Sequence, residues 1–237
     1  MIEKINVSHL LFIDIETVPL AADFSQLDTE SQELFEEKTR YQRKEDETAA
    51  AFYHKAGIWA EFGKVVCISL GQFAVRRDVR NFRVTSFYGE EPKLLKEFAN
   101  HLSQNYESAQ YVFCGHNIKE FDLPFLCRRF LINGIKLPEK LQFFGKKPWE
   151  IAHIDTLDLW KFGDFKHYTS LKLLTAVLGI PSSKDDISGA DVANVFYREN
   201  DIDRIILYCE KDVVACAQVL LRLRNEPLLD PDEILKF

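Results

Sequence analysis

With 237 residues and 46% hydrophobic content, the chain can bury one sizeable core, which argues for a single domain carrying an insertion and against two separate domains. A formal net charge of −7 and a pI near 5.5 exclude a protein that coats duplex nucleic acid by charge alone, but not one that grips a strand end at a few phosphates around bound cations. Five Cys without a Cys-x-x-Cys pair read as reduced thiols of a cytoplasmic protein, and no apolar run reaches the roughly 18 residues of a membrane span.

Taken in order, the predicted elements begin with a strand from about Ser8 to Ile15. Its apolar run Leu10 to Ile13 reads as covered on both faces, hence central in a sheet, and Asp14 and Glu16 interrupt it, so no signal-peptide pattern is expected. An insertion from about Asp23 to Gly63 is charged and helix-favouring in its middle, and is expected to be a solvated helical excursion or mobile flap. Strands at Lys64 to Leu70 and Val79 to Phe87 flank a hairpin turn at Arg76-Arg77-Asp78. A helix from Pro92 to Gln104, a short strand from Tyr111 to Cys114 and a helix from Leu123 to Leu131 imply a right-handed crossover and parallel pairing. A strand-like start follows at Ala152 to Leu159, then a Ser170-capped helix through Leu178, then a long helix from Asp201 to Leu223. Residues 1–225 thus form one domain with an insertion at about 23–63, and residues 226–237 a tail, disordered after Pro227.

Three stretches carry chemistry. Strand side chains alternate, so Asp14 and Glu16 share one face; like charges that close together raise each other's pKa, and a divalent cation would resolve the conflict. A strand end running out into solvent would resolve it equally well. On the last helix, Ile202, Ile205, Ile206, Cys209, Val213, Cys216 and Leu220 form an apolar stripe, and Asp212 falls about 20° from Ile205, at the border of that stripe. It needs a basic partner or a metal, and Tyr208 sits one turn earlier on the same side. Asp122, two residues before Pro124 at a helix start, reads as an N-cap or as a group at the carboxyl end of the sheet, where ligand sites collect.

In this order, Asp14-x-Glu16, Asn117-x-x-x-Phe121-Asp122 and Tyr208-x-x-x-Asp212 resemble the three sequence blocks of the DEDD 3′-5′ exonucleases, in the variant with Tyr in the third block. The wording is similar to the proofreading exonuclease domains of family B DNA polymerases and their stand-alone bacterial relatives, as are Phe62 to Ser69, Asp155-x-x-Asp158-Leu159-Trp160 and Ser170-Leu171-x-Leu173-Leu174. Each block alone is weak evidence; three in order are strong. In the His variant the position of Leu207 would carry the base, so the Tyr variant is the one this chain resembles.

The resemblance implies an α/β, ribonuclease H-like fold: a five-stranded mixed sheet, three strands antiparallel and then parallel additions, flanked by helices. It implies two divalent ions, Mg²⁺ or Mn²⁺, held by Asp14, Glu16, Asp122 and Asp212, with Tyr208 orienting the attacking water. By similarity Thr17 would meet the terminal 3′ hydroxyl, Leu20 would wedge against the last base, and Asn117 and Phe121 would face the penultimate nucleotides. Leu20 and Phe121 read equally well as ordinary core. Lys161, Lys166, His167 and Lys172 read as an exposed basic loop near the channel, and Asp155 and Asp158 as local hydrogen-bonding groups. The expected activity is hydrolysis of single-stranded DNA 3′ ends to nucleoside 5′-monophosphates, with RNA as the alternative substrate and no membrane. A polymerase or repair protein would be served in trans. A non-catalytic nucleic-acid-binding module and a ribonuclease H-like endonuclease are the competing classes, which product size separates.

Overall fold

The computed structural model describes residues 2–76, 79–164, 168–181 and 187–237. Its sheet starts from β1 (Leu10–Pro19), which pairs antiparallel with β2 (Gly63–Arg76), and β2 in turn pairs antiparallel with β3 (Val79–Tyr88). Between β1 and β2 the chain forms α1 (Thr29–Thr39), α2 (Ala49–Phe52) and a 3-10 turn, Tyr53–Ile58. After β3 come α3 (Glu91–Asn105), β4 (Val112–Gly115), α4 (Asp122–Ile132), β5 (Ile154–Asp155), α5 (Thr156–Lys161), α6 (Leu171–Val177), α7 (Val192–Asn194) and α8 (Ile202–Leu223). A last strand, β6 (Ile234–Lys236), runs parallel to the edge of β3, giving the order β5-β4-β1-β2-β3-β6.

The three antiparallel strands and the parallel additions β4 and β5 match the expected order. The sixth strand does not: the tail, expected to be disordered, adds β6, and Leu229 is buried with its N–H donating to the Gln218 side chain at 2.8 Å and its carbonyl accepting from it at 3.0 Å. The first strand runs four residues beyond the expected Ile15, while the one expected at Ala152 to Leu159 is only two residues long before Asp155 caps α5, accepting from Leu157 N–H at 3.0 Å. Of the predicted hairpin turn, Arg77 and Asp78 lie outside the described residues, with Arg76 opposite Val79.

The alternation in β1 divides the core. Leu11, Ile13 and Ile15 pack with α3 and α4 in one cluster; Leu10 and Phe12 face the other way, onto Val213, Cys216, Ala217 and Leu220 of α8. Asp14 and Glu16 continue that second face, so the sequence that places Phe12 under α8 also carries two carboxylates to it. Of the two forms expected of the insertion, a solvated helical excursion or a mobile flap, it has the helices, α1 and α2, but is not solvated throughout. Phe35, Phe52, Tyr53 and Phe62 bury one another in a separate aromatic cluster, with Phe35 and Phe62 ring centroids 5.1 Å apart. All five Cys are free.

Gly115 marks where β4 must come close to its neighbours. A Cβ there would lie 2.0 Å from Ile118 Cγ2 and 2.8 Å from the Ile13 carbonyl oxygen. Gly115→Ala is therefore expected to cost about 1–3 kcal/mol by overpacking, measured by urea denaturation; an unchanged midpoint would show that the backbone yields freely.

His153 is buried between Phe113 and Phe143, its Nδ1 accepting from Phe113 N–H at 3.1 Å. Burial, then Lys119, Lys140 and Lys146, hold its pKa down to about 4. Because the folded value lies below the unfolded one near 6.5, the folded state takes up its proton less readily, so its stabilising contribution is present above pH 6.5 and lost as pH falls toward 4. The expected loss is about 3 kcal/mol across that window. His153→Asn, which keeps an acceptor for Phe113, should flatten this part of the profile, and an unchanged profile would refute the assignment.

Candidate active site

Three elements converge on a cleft of about 850 Å³. The first, β1, brings Asp14 and Glu16, and its pairing with β2 shifts register between Glu16 and Thr17, an irregularity that bends the strand at the carboxylates. The second is the start of α4. Phe121 occupies the N-cap position without a side-chain bond to the helix, and Asp122, its first residue, reaches instead to β1, where Oδ1 accepts from Ile15 N–H at 3.1 Å. The N-cap reading of Asp122 is thus replaced by a tie between helix and sheet. The third is α8, which supplies Tyr208 and Asp212 to the cleft wall.

The register of α8 is fixed next to the carboxylates. Cys209 donates its thiol hydrogen to the Asp14 carbonyl at 3.4 Å. Glu210, buried, accepts from the Ser86 hydroxyl at 3.1 Å and pairs with Lys236 of β6 at 2.6 Å. Ser86 in turn shares a hydrogen bond of 2.9 Å with Ser69. These contacts hold the helix to β1, β2, β3 and the tail, and leave Asp212 one turn beyond Tyr208.

The carboxylates repel one another. Burial pushes the Asp14 pKa well above the ordinary range, and the charges of Glu16, Asp212 and Asp122 push it further. Glu16, also buried, is raised well above its usual value by burial, then by Asp212. Asp122 is lifted to about 7 by burial, with Asp155 and Asp212 adding to the rise and hydrogen bonds from its own and Ile15 N–H opposing it. Asp14 Oδ2 is buried without a hydrogen-bond partner. A ligand oxygen of each of Asp14 and Glu16 lies with Cys209 Sγ inside a group spanning 4.8 Å, the arrangement of a metal-binding cluster. A buried, orphaned carboxylate oxygen among like charges fits a hard divalent cation.

Asn117 and Phe121 also line the cleft. Asn117 has a left-handed backbone, φ 66°, and Asp155 holds it there, Oδ1 accepting from Asn117 N–H at 2.8 Å and Oδ2 from Lys119 N–H at 3.1 Å. Asp158 pairs with Lys119 at 3.1 Å. Both Asp side chains thus have the local hydrogen-bonding roles expected of them. Thr17 and Leu20 are half-buried and do not line this cleft among the described residues: the Thr17 hydroxyl donates to the Gly57 carbonyl at 2.8 Å, and Leu20 N–H to the Phe62 carbonyl at 2.9 Å. Lys172 lines the cleft and Lys161 lies near Asp158, while Lys166 and His167 fall outside the described residues.

Tyr168 and His116 are polar cleft residues that the sequence pattern does not mark. Tyr168 stands 67% exposed at the wall, its phenol pKa raised by partial burial and by Asp122, Asp155 and Asp212. His116 bonds to the Thr156 hydroxyl at 2.9 Å and the Thr169 carbonyl at 2.8 Å, positioning the segment that leads from Thr169 into α6. The bond between His116 and Thr169 joins residues 53 positions apart, a contact that no local pattern encodes.

Among the described residues no helix is long and apolar enough to cross a membrane. No curated protein matches the chain significantly. The structure of the family B DNA polymerase from the hyperthermophilic archaeon Pyrobaculum calidifontis is similar, with a TM-score of 0.53 and 16% identity over 90% of this chain and 24% of the polymerase. The chain therefore spans only a minor part of that protein's length, and the likeness, with the mixed sheet flanked by helices, fits a ribonuclease H-like fold. A family model described as a predicted 3′-5′ exonuclease related to the exonuclease domain of PolB matches residues 58–229, a span that includes Asp122, Tyr208 and Asp212. Matched over most of its length, the chain belongs to this family of PolB-related predicted 3′-5′ exonucleases.

Proposed function

We propose that the chain is a metal-dependent 3′-5′ exonuclease that removes nucleoside 5′-monophosphates from single-stranded DNA ends, with RNA as the alternative substrate. The observation that carries this reading is the convergence of Asp14, Glu16, Asp122 and Asp212 from three elements on one cleft, with their pKa values raised at Asp14, Glu16 and Asp122 and one Asp14 oxygen left without a partner.

Asp14 would be shared by two divalent ions, Mg²⁺ or Mn²⁺, with Glu16 and Asp212 completing one site and Asp122 supporting the other. When bound, such ions supply a water of lowered pKa and neutralise charge on the leaving oxygen. The protein's own residues do the rest. Tyr208 orients the water for in-line attack on the terminal phosphorus; a phenol is a poor base at neutral pH, so its role is positioning. A P–O bond forms to the water oxygen as the bond to the 3′ oxygen of the preceding nucleotide breaks. The water proton passes to solvent, the 3′ oxygen takes one up, and a nucleoside 5′-monophosphate leaves. Asn117 and Phe121 hold the last nucleotides by polar contact and stacking, which every base accepts.

Matched DNA and RNA oligonucleotides in competition test the substrate. Mononucleotides released faster from DNA are expected; faster release from RNA would reverse the assignment, and internal fragments would contradict the exonuclease reading itself.

A further inference from the structure

Asn117 and Phe121 line the cleft, and from the same turn of chain Lys119, Leu123 and Pro124 line a second depression of about 260 Å³. Leu137 and Leu141 extend its apolar lining, Arg128 adds a second cation to that of Lys119, and Phe143 and Phe144 contribute from the segment that follows Leu141. That segment, Phe143 to Trp149, forms a lip.

The lip is a built structure. Lys146 N–H donates to the Phe143 carbonyl at 3.0 Å across Gly145, whose φ of 70° makes the turn. Glu150 then caps the next turn, its carboxylate accepting from Lys147 N–H at 2.7 Å. The two turns leave Phe144 73% and Trp149 77% exposed, with Lys146 and Lys147 exposed between them. The Lys147 ammonium lies 5.3 Å from the centre of the Trp149 ring, and Lys146 lies 5.9 Å from that of Phe143. Two large exposed aromatic rings interleaved with cations, on a chain of net charge −7, select a ligand with flat apolar faces and negative charge. Of the acidic groups nearby, Glu150 is engaged in the turn and Asp158 with Lys119.

From this geometry we infer that the lip and its groove form a second binding site for single-stranded nucleic acid, taking nucleotides upstream of the end that enters the cleft. The inference rests on the exonuclease reading for the direction of the strand, but not on hydrolysis. Continuity with the cleft through residues 117–124 favours a strand over an acidic peptide, the other ligand of suitable charge.

The test uses the full chain and 5′-fluorescein oligothymidylates of four and twenty nucleotides, with binding read by anisotropy in Ca²⁺. Phe144→Ala/Trp149→Ala changes only exposed side chains, and circular dichroism checks its fold. It should weaken binding of the longer strand about 10- to 100-fold and leave the shorter one unchanged. Lys146→Gln/Lys147→Gln should lower the salt dependence of long-strand affinity by a slope of about 1.4, two phosphates' worth. Long-strand binding unaffected by either variant, equal weakening at both lengths, or no binding of the longer strand by the unaltered chain would overturn the inference. So would a lip that captures a peptide of alternating Asp and Leu, sensitive to Phe144→Ala/Trp149→Ala, while the longer strand stays indifferent to that variant. Hydrolysis of the four-nucleotide strand in Mg²⁺ is scored separately: its absence alongside length-dependent binding would remove the exonuclease reading and support the lip.

Discussion

Asp14→Asn is expected to abolish hydrolysis while making the metal-free protein more stable at neutral pH. The two effects share one cause. Asp14 stands with Oδ2 buried and unpartnered beside Glu16, Asp122 and Asp212, and its raised pKa says that the folded chain resists its charge. A neutral amide of the same shape removes that repulsion and also the ligand that both ions would share. Activity should fall more than about 100-fold, beyond what losing an outer partner of a metal site costs. The sign of the pH dependence follows from the raised folded-state values. Relative to an unfolded carboxyl near 4, the folded state binds these protons more tightly, so their stabilising contribution is complete below about pH 4 and is lost as pH rises, for Asp122 through about 7. The stability advantage of Asp14→Asn over the metal-free chain should therefore widen from pH 5 to pH 8. Adding Mn²⁺ should raise the melting temperature of the unaltered chain and close the gap. Thermal melts with and without Mn²⁺ check this; a variant less stable than the metal-free chain at pH 8 would mean that Asp14 serves the fold instead.

Arg129→Met should be the most damaging single change to the fold among the contacts described. Arg129 and Glu91 are both buried and pair through two hydrogen bonds, Nε to Oε1 at 2.8 Å and Nη2 to Oε2 at 2.5 Å. Arg129 Nη1 also donates to the Ala60 carbonyl at 2.8 Å, while Glu91 accepts from Val65 N–H at 2.8 Å and Asn133 at 3.0 Å. The pair thus fastens α3 and α4 to the place where the insertion rejoins β2. Removing one member leaves a buried charge without its partner, at an expected cost of about 3–5 kcal/mol in urea denaturation. Arg129→Met combined with Glu91→Gln retains an acceptor for Val65 and removes the stranded charge, so the double variant should be more stable than Arg129→Met alone. Strict additivity would show that the two side chains do not act as a pair.

Much of this arrangement was legible from local pattern. The uninterrupted apolar run of β1 marks a central strand, and the stripe on α8 places Asp212 at the edge of the buried face. The first is a matter of apolar continuity and the second of helical periodicity, and sequence carries both directly. The sixth strand was not legible, because three residues at Ile234–Lys236 have no pattern of their own and form a strand only where the edge of β3 is open to them. The insertion misled for a related reason. Phe35, Phe52, Tyr53 and Phe62 are scattered among charges without a period, and they meet only once α1, α2 and the turn at Tyr53–Ile58 have packed. Asp122 followed the local rule for a helix cap, yet a contact to a residue 107 positions away decided its orientation. Resemblance alone points to Thr17 and Leu20, whose hydrogen bonds beyond the shift at Glu16 run to Gly57 and Phe62.

The most direct test of the central claim is a time course of a 5′-labelled single-stranded DNA oligonucleotide with Mg²⁺ or with EDTA, run beside Asp14→Asn. A ladder shortening one nucleotide at a time from the 3′ end is expected in Mg²⁺, absent with EDTA and absent with the variant. A ladder that persists in EDTA or in Asp14→Asn, or an intact strand in Mg²⁺ with folded protein, would contradict it.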